Sequence, residues 1–135
     1  MSTKTFVSLP VQDLAKSIAF YKGLGFTFDP QFTGDTAGRM IISEHNFVML
    51  LTHDMFKSFS NRPIPDPRET SGLMVGLALD SKQAVDDLVE KAIKASGKEP
   101  VPAQDYGFMV QRKFEDLDGY TWGPLWMDPN HVQKG

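Results

Sequence analysis

A chain of 135 residues with 41% hydrophobic and 23% charged residues has the length of one domain and ordinary globular composition. Its formal charge of −3 comes without any run of Lys or Arg, which argues against nucleic acid as a partner, and its 0 cysteines exclude a disulfide framework, thiolate zinc and a cysteine nucleophile. No apolar stretch approaches the roughly 20 residues that span a bilayer, and the opening Met-Ser-Thr-Lys-Thr lacks the apolar core of a signal peptide, so a cytoplasmic protein that makes no use of a membrane is expected.

In chain order, the short apolar run from Phe6 to Val11 reads as a strand, with Pro10 near its end because proline donates nothing to a ladder. Asp13 offers an N-cap to a helix with Leu14, Ile18 and Tyr21 on one face, and Gly23 and Gly25 stop it. Phe26 to Phe28, Arg39 to Ser43 and Phe47 to Thr52 read as three further strands, with turns at 34–38 and 44–46. The second half repeats this order. A strand over Gly72 to Leu79 precedes a helix capped by Asp80 or Ser81, whose apolar residues Val85, Leu88, Val89, Ala92 and Ile93 form the clearest amphipathic pattern in the chain. Gly97 is expected at its C′ position. Extended pieces follow at Glu99 to Val101, Phe108 to Phe114 and Tyr120 to Met127, with Asp118-Gly119 as a hairpin turn. The segment from His53 to Ser71 holds Pro63, Pro65 and Pro67 but also Met55, Phe56 and Phe59. It reads as a connector or as a lid, with a short helix over Met55 to Phe59.

The repeated strand-helix-three-strand unit resembles the vicinal oxygen chelate superfamily, which includes glyoxalase I, the extradiol dioxygenases and the bleomycin-resistance proteins. The resemblance is carried by Leu9-Pro-Val-Gln-Asp-Leu-Ala-Lys-Ser-Ile-Ala-Phe-Tyr21 with Gly23-Leu-Gly-Phe26, and by Phe114-Glu-Asp-Leu-Asp-Gly-Tyr120, where Leu117 replaces a usual proline. It implies an α+β fold of two βαβββ modules, eight strands in all, forming curved mixed sheets around a cavity. Within a single domain over 1–135 the modules would span 4–53 and 72–130, joined by a loop over 54–71. It also implies a homodimer.

Metal-dependent members take one ligand from the first and one from the last strand of each half. The resemblance implies that those places hold Phe6, Leu50, Met74 and Gly123. None suits a divalent ion that wants imidazole, carboxylate or carbonyl donors, so neither a metal nor another cofactor is expected. Strand alternation puts Phe6, Leu50 and Met74 on the cavity side and Met49, Trp122 and Trp126 on the helix side. Tyr106, Phe108, Arg112 and Gly123 are expected to complete an apolar ligand-binding cavity for a small organic molecule, Arg112 ahead of Arg39 as a fork for an anion.

Catalytic groups are harder to find. His53, beside Asp54, and Glu115, beside Asp116 and Asp118, are the candidates for a relocated metal or acid–base site, with Glu44 as a further carboxylate. Against them stands the plainer reading that His45, His53 and His131 are solvated, that turn chemistry explains Asp118, and that Glu115 and Asp116 face solvent. Metal-independent binding is therefore the leading expectation, with a lyase- or dioxygenase-type enzyme and a non-catalytic interaction module as alternatives.

Overall fold

A computed structural model describes residues 3–131. It divides into two compact units, parted between Asp66 and Pro67. In the first unit, β1 (Thr5–Val11) leads into α1 (Leu14–Gly23), then β2 (Thr27–Phe28), β3 (Ala37–Ser43) and β4 (Asn46–Thr52). The sheet order is β1-β4-β3-β2, with β1 parallel to β4 and the other neighbours antiparallel. The second unit repeats the plan, with β5 (Met74–Ala78), α3 (Lys82–Lys94), β6 (Gln104–Asp105), β7 (Met109–Gln111), β8 (Phe114–Glu115) and β9 (Thr121–Met127). Here β5 runs parallel to β9, which also pairs with β7 and β8. The expected α+β class holds, and so does the βαβββ order in the first unit, while in the second four strands follow α3.

Local chemistry explains the helix ends. The Asp13 carboxylate accepts from the Lys16 N–H at 3.0 Å, and the Ser81 hydroxyl accepts from the Ala84 N–H at 3.0 Å, each satisfying a donor that the first helical turn leaves free. Past α1, Gly25 adopts φ +101, the left-handed residue a glycine supplies cheaply. At α3 the expectation fails by one residue: Ser96, not Gly97, takes the positive φ, at +82. The Gly97 N–H then bonds back to the Ala92 carbonyl at 2.8 Å.

Each helix covers one face of its own sheet. Leu14, Phe20 and Tyr21 of α1 are buried with Leu9, Val11, Met40, Val48 and Leu50. A side chain at Gly38 would meet Ile18 of α1 at 3.1 Å, so the helix lies close on β3. In the second unit Val85, Leu88, Val89 and Ala92 of α3 are buried with Leu77, Val110, Phe114 and Trp122. The rings of Phe114 and Trp122 stack at 6.0 Å, and Lys82 of α3 lies 5.3 Å from the Trp126 ring. Trp122 and Trp126 thus face the helix as expected.

Among the described residues nine strands replace the expected eight. The strand expected over Phe108 to Phe114 is split at Arg112 and Lys113. Arg112 donates its N–H to the Pro124 carbonyl at 3.1 Å, but Pro124 has no N–H with which to complete the pair. The strand expected at Glu99 to Val101 shrinks to a single bridge between Lys98 and Glu115, because Pro100 and Pro102 cannot extend a ladder. The short helix in the connector, α2, runs His53–Lys57 rather than Met55 to Phe59. A 3-10 turn at Pro30–Phe32, absent from the expectation, is capped by Asp29.

The turn between β8 and β9 is built around Asp116, which is buried and not solvated as the sequence suggested. One carboxylate oxygen accepts from the N–H groups of Asp118, Gly119 and Tyr120 at 3.1, 3.0 and 2.9 Å, and the other from the Trp122 indole at 3.4 Å. Gly119 has φ +101, and a Cβ there would lie 2.8 Å from Arg68. Arg68 itself donates to the Leu117 carbonyl at 2.7 Å, which ties the start of the second unit to this turn.

Ser96 provides a direct check of the α3 terminus. A non-glycine residue in the left-handed region costs about 1 kcal/mol relative to glycine. Ser96→Gly should therefore raise the melting temperature by about 2–5 °C, measured by calorimetry; an unchanged or lower value would contradict the φ assigned here.

Candidate functional site

With α1 and α3 each on one side, both sheets leave a second face, and the register decides which residues reach it. Phe6, Ser8 and Pro10 of β1 share a side with Phe47, Met49 and Leu51 of β4 and with Ala37, Arg39 and Ile41 of β3. Leu50 belongs to the opposite side. It pairs with Leu9 and Gly38 over α1 and is 0% exposed. Leu50 is thus a core residue and not a cavity residue, and Met49 lies on the open face and not against the helix. Both expectations slipped by one residue, which in a strand reverses the face.

The open face of the first unit is aromatic around one cation. Phe6 is 45% exposed and stacks on Phe47 at 5.1 Å. The Arg39 guanidinium lies 3.7 Å from the centre of the Phe32 ring, 4.9 Å from that of Phe6 and 5.9 Å from that of Phe47. Such stacking contributes about 0.5–2 kcal/mol per cation–aromatic pair. The 3-10 turn brings Phe32 there, and two bonds hold it to β3: Asp29 donates to the Arg39 carbonyl at 2.9 Å, and Arg39 donates its backbone N–H to the Thr33 hydroxyl at 3.2 Å. The Arg39 Nε is shut off from solvent and finds no hydrogen-bond acceptor. Sequence reasoning ranked Arg39 below Arg112 and overlooked Phe32 and Phe47. For Phe47 no local signal was available, since every position from Phe47 to Leu51 is apolar.

In the second unit Met74 and Gly76 of β5 share the open side with Thr121, Gly123 and Leu125 of β9 and with Glu115 of β8. Met74 is 64% exposed. Met74 and Gly123 therefore lie on the expected face, with Thr121 beside them. Tyr106 is exposed in the loop between β6 and β7. Phe108 stacks on His131 at 4.0 Å and lies 6.4 Å from Tyr106.

Arg112 does not serve the open face. Its side of the strand is that of Val110 and Phe114, and its guanidinium is consumed by carboxylates. Glu99 takes a bidentate pair of bonds at 2.9 Å each, while Asp86 and Glu90 of α3 accept at 3.0 and 3.2 Å. The Glu99 bond, seconded by those to Asp86 and Glu90, outweighs the opposing effect of burial and holds Arg112 far above its ordinary pKa. The expectation of a ligand fork at Arg112 is thereby corrected.

His53 begins α2, after Thr52, whose hydroxyl caps that helix at the Met55 N–H. His45 lies 3.8 Å from Glu44. Among the described residues no three His, Asp or Glu side chains gather closely enough to hold a metal ion, and no helix is long and apolar enough to cross a membrane.

Comparison with known proteins places this geometry. Residues 3–37 match the family model described as bleomycin resistance protein-like N-terminal. A hypothetical protein from S. aureus superposes with a TM-score of 0.77 at 29% identity, covering 93% of this chain and 95% of its own. A glyoxalase/bleomycin resistance protein/dioxygenase family enzyme from Burkholderia phytofirmans PsJN gives 0.76 at 16% identity over 93% and 99%. The fold is that of the glyoxalase/bleomycin resistance/dioxygenase superfamily. A fosfomycin resistance protein from Listeria monocytogenes shares it with a TM-score of 0.67, 15% identity and 93% coverage of both chains. None of the curated proteins compared with the chain matches it. The resemblance to the vicinal oxygen chelate superfamily read from the sequence is borne out.

Two outcomes follow for the side chains that the chain devotes to its own stability. Arg112→Met should cost about 1–3 kcal/mol, since it leaves Glu99 half-buried without its partner, and added salt should narrow the gap in urea unfolding; equal stability at low salt would refute the network. Tyr120 is buried beside Asp118 and Asp116, and burial first, then those two charges, push its phenol above the ordinary value of 10.0. A raised pKa favours the neutral form in the folded state, so its contribution is fully present below pH 10 and falls as pH rises further. Tyr120→Phe should then lose less stability than the parent chain between about pH 9 and 11; parallel pH curves would contradict this.

Proposed function

We propose that the chain binds a small organic molecule without a metal, on the aromatic sheet face that α1 leaves uncovered. The observation that carries this is Phe6, 45% exposed and stacked on Phe47 beside Arg39. Large aromatic surface around a few polar groups is the common make-up of small-molecule sites. At the superfamily's metal positions, Phe6, Met74 and Gly123 offer no suitable donor. The register moves the position first assigned to Leu50 onto Met49 or Leu51, which are no better as ligands for a hard or borderline ion. A divalent ion does not fit this set. Homodimer formation and a cytoplasmic location belong to the proposal by analogy with the superfamily. The relatives named for bleomycin and fosfomycin resistance point toward small-molecule handling too.

The test is metal content by mass spectrometry on tag-free protein soaked in Ni²⁺, Zn²⁺, Mn²⁺ and Fe²⁺, followed by a thermal-shift screen of organic ligands with chelator present. Substoichiometric metal together with stabilising ligands is the expected outcome. Near-stoichiometric metal that disappears in His53→Ala would replace this reading with a metalloenzyme whose site has moved.

A further inference from the structure

We propose that Arg39 anchors the carboxylate of an aromatic or conjugated acid whose ring stacks against Phe6 and Phe32, an inference that rests on the small-molecule reading above and narrows it to a ligand class. Arg39 is the sole charged side chain among the paired strand residues of β1, β3 and β4 on the open face. Among the described residues no carboxylate lies within ion-pair distance of it, and its Nε is enclosed without an acceptor. A guanidinium in this state has rings against its flat faces and an Nε–H without an acceptor. The group that completes it is a planar anion able to accept two parallel hydrogen bonds. The exposed rings beside it, Phe6 at 45% and Phe32 at 42%, offer stacking surface to whatever carries that anion. The same chain shows the alternative fate of an arginine: Arg112 has three carboxylates of its own and nothing left to offer a ligand.

The experiment compares 2-naphthoate with its neutral isostere 2-naphthamide on the ¹⁵N-labelled full chain at low salt, following the side-chain Nε–H resonance of Arg39. The expected result is saturable binding of the acid at least tenfold tighter than the amide, with a shift of that resonance. Arg39→Lys should bind the acid several-fold more weakly yet still prefer it, and Arg39→Gln should lose the preference. Equal affinity for acid and amide would overturn the inference while leaving metal-independent binding intact. A preference that survives Arg39→Gln would place the anion site elsewhere and overturn it as well. Binding of neither probe up to the solubility limit would sink this inference together with the reading it rests on. The acid-to-amide ratio is read on the unsubstituted chain, so the decision stands even if a variant fails to fold.

Discussion

Everything that positions the candidate site depends on the parallel pairing of the first and last strand in each unit, β1 with β4 and β5 with β9. In parallel strands paired residues point the same way, so one register fixes the side of every side chain on both. The helix that follows the first strand must pack back onto one face. The other face is left to carry whatever its sequence supplies. In the first unit the covered face takes Leu9, Val11, Val48 and Leu50, all buried. The uncovered face takes Phe6, Phe47 and Arg39, and an aromatic side chain left half in water on a sheet is an invitation to a partner that the core has not provided.

The helices and the repeat were legible because their signals are local. Asp13 and Ser81 cap within three residues, and the apolar period of α3 runs from Val85 to Ile93 without interruption. The face of Leu50 was not legible, because Val48-Met49-Leu50-Leu51 is apolar at every position and alternation has nothing to report. Only the pairing with Arg39 and Gly38 on β3 separates the two sides, and that is a contact between residues distant in the chain. The break at Arg112 had a legible cause, the missing N–H of Pro124, but it lies on a different strand and emerges only once the two are paired.

Asp116 illustrates the same limit from the side of electrostatics. In Glu115-Asp116-Leu117-Asp118 the carboxylates look equivalent and exposed. The turn makes them unequal by aiming three backbone N–H groups at one oxygen of Asp116. Those bonds meet the cost of burying a charge that would otherwise be prohibitive. The acidic cluster thus serves the hairpin that leads into β9, and with it the placement of Thr121 and Gly123 on the second sheet's open face.

Arg39 and Arg112 show how one residue type acquires opposite roles. Both lie in or beside short apolar strands. Arg112 has the parity of Val110 and Phe114, which would bury it ruinously, except that α3 presents Asp86 and Glu90 and the loop beyond presents Glu99. The charge is spent on holding strand to helix. Arg39 has the parity of Phe6 and Phe47 and meets rings where Arg112 meets carboxylates. Rings stabilise the flat faces of a guanidinium but accept poorly at its edge, so the Arg39 Nε–H keeps its demand. A structural role would be complete with an aspartate or glutamate opposite Arg39, and the strands of this face offer Ser8 and Met49 there instead. The difference between the two arginines is therefore a difference in what their neighbours leave undone, and only Arg39 has an unfinished edge on an exposed face.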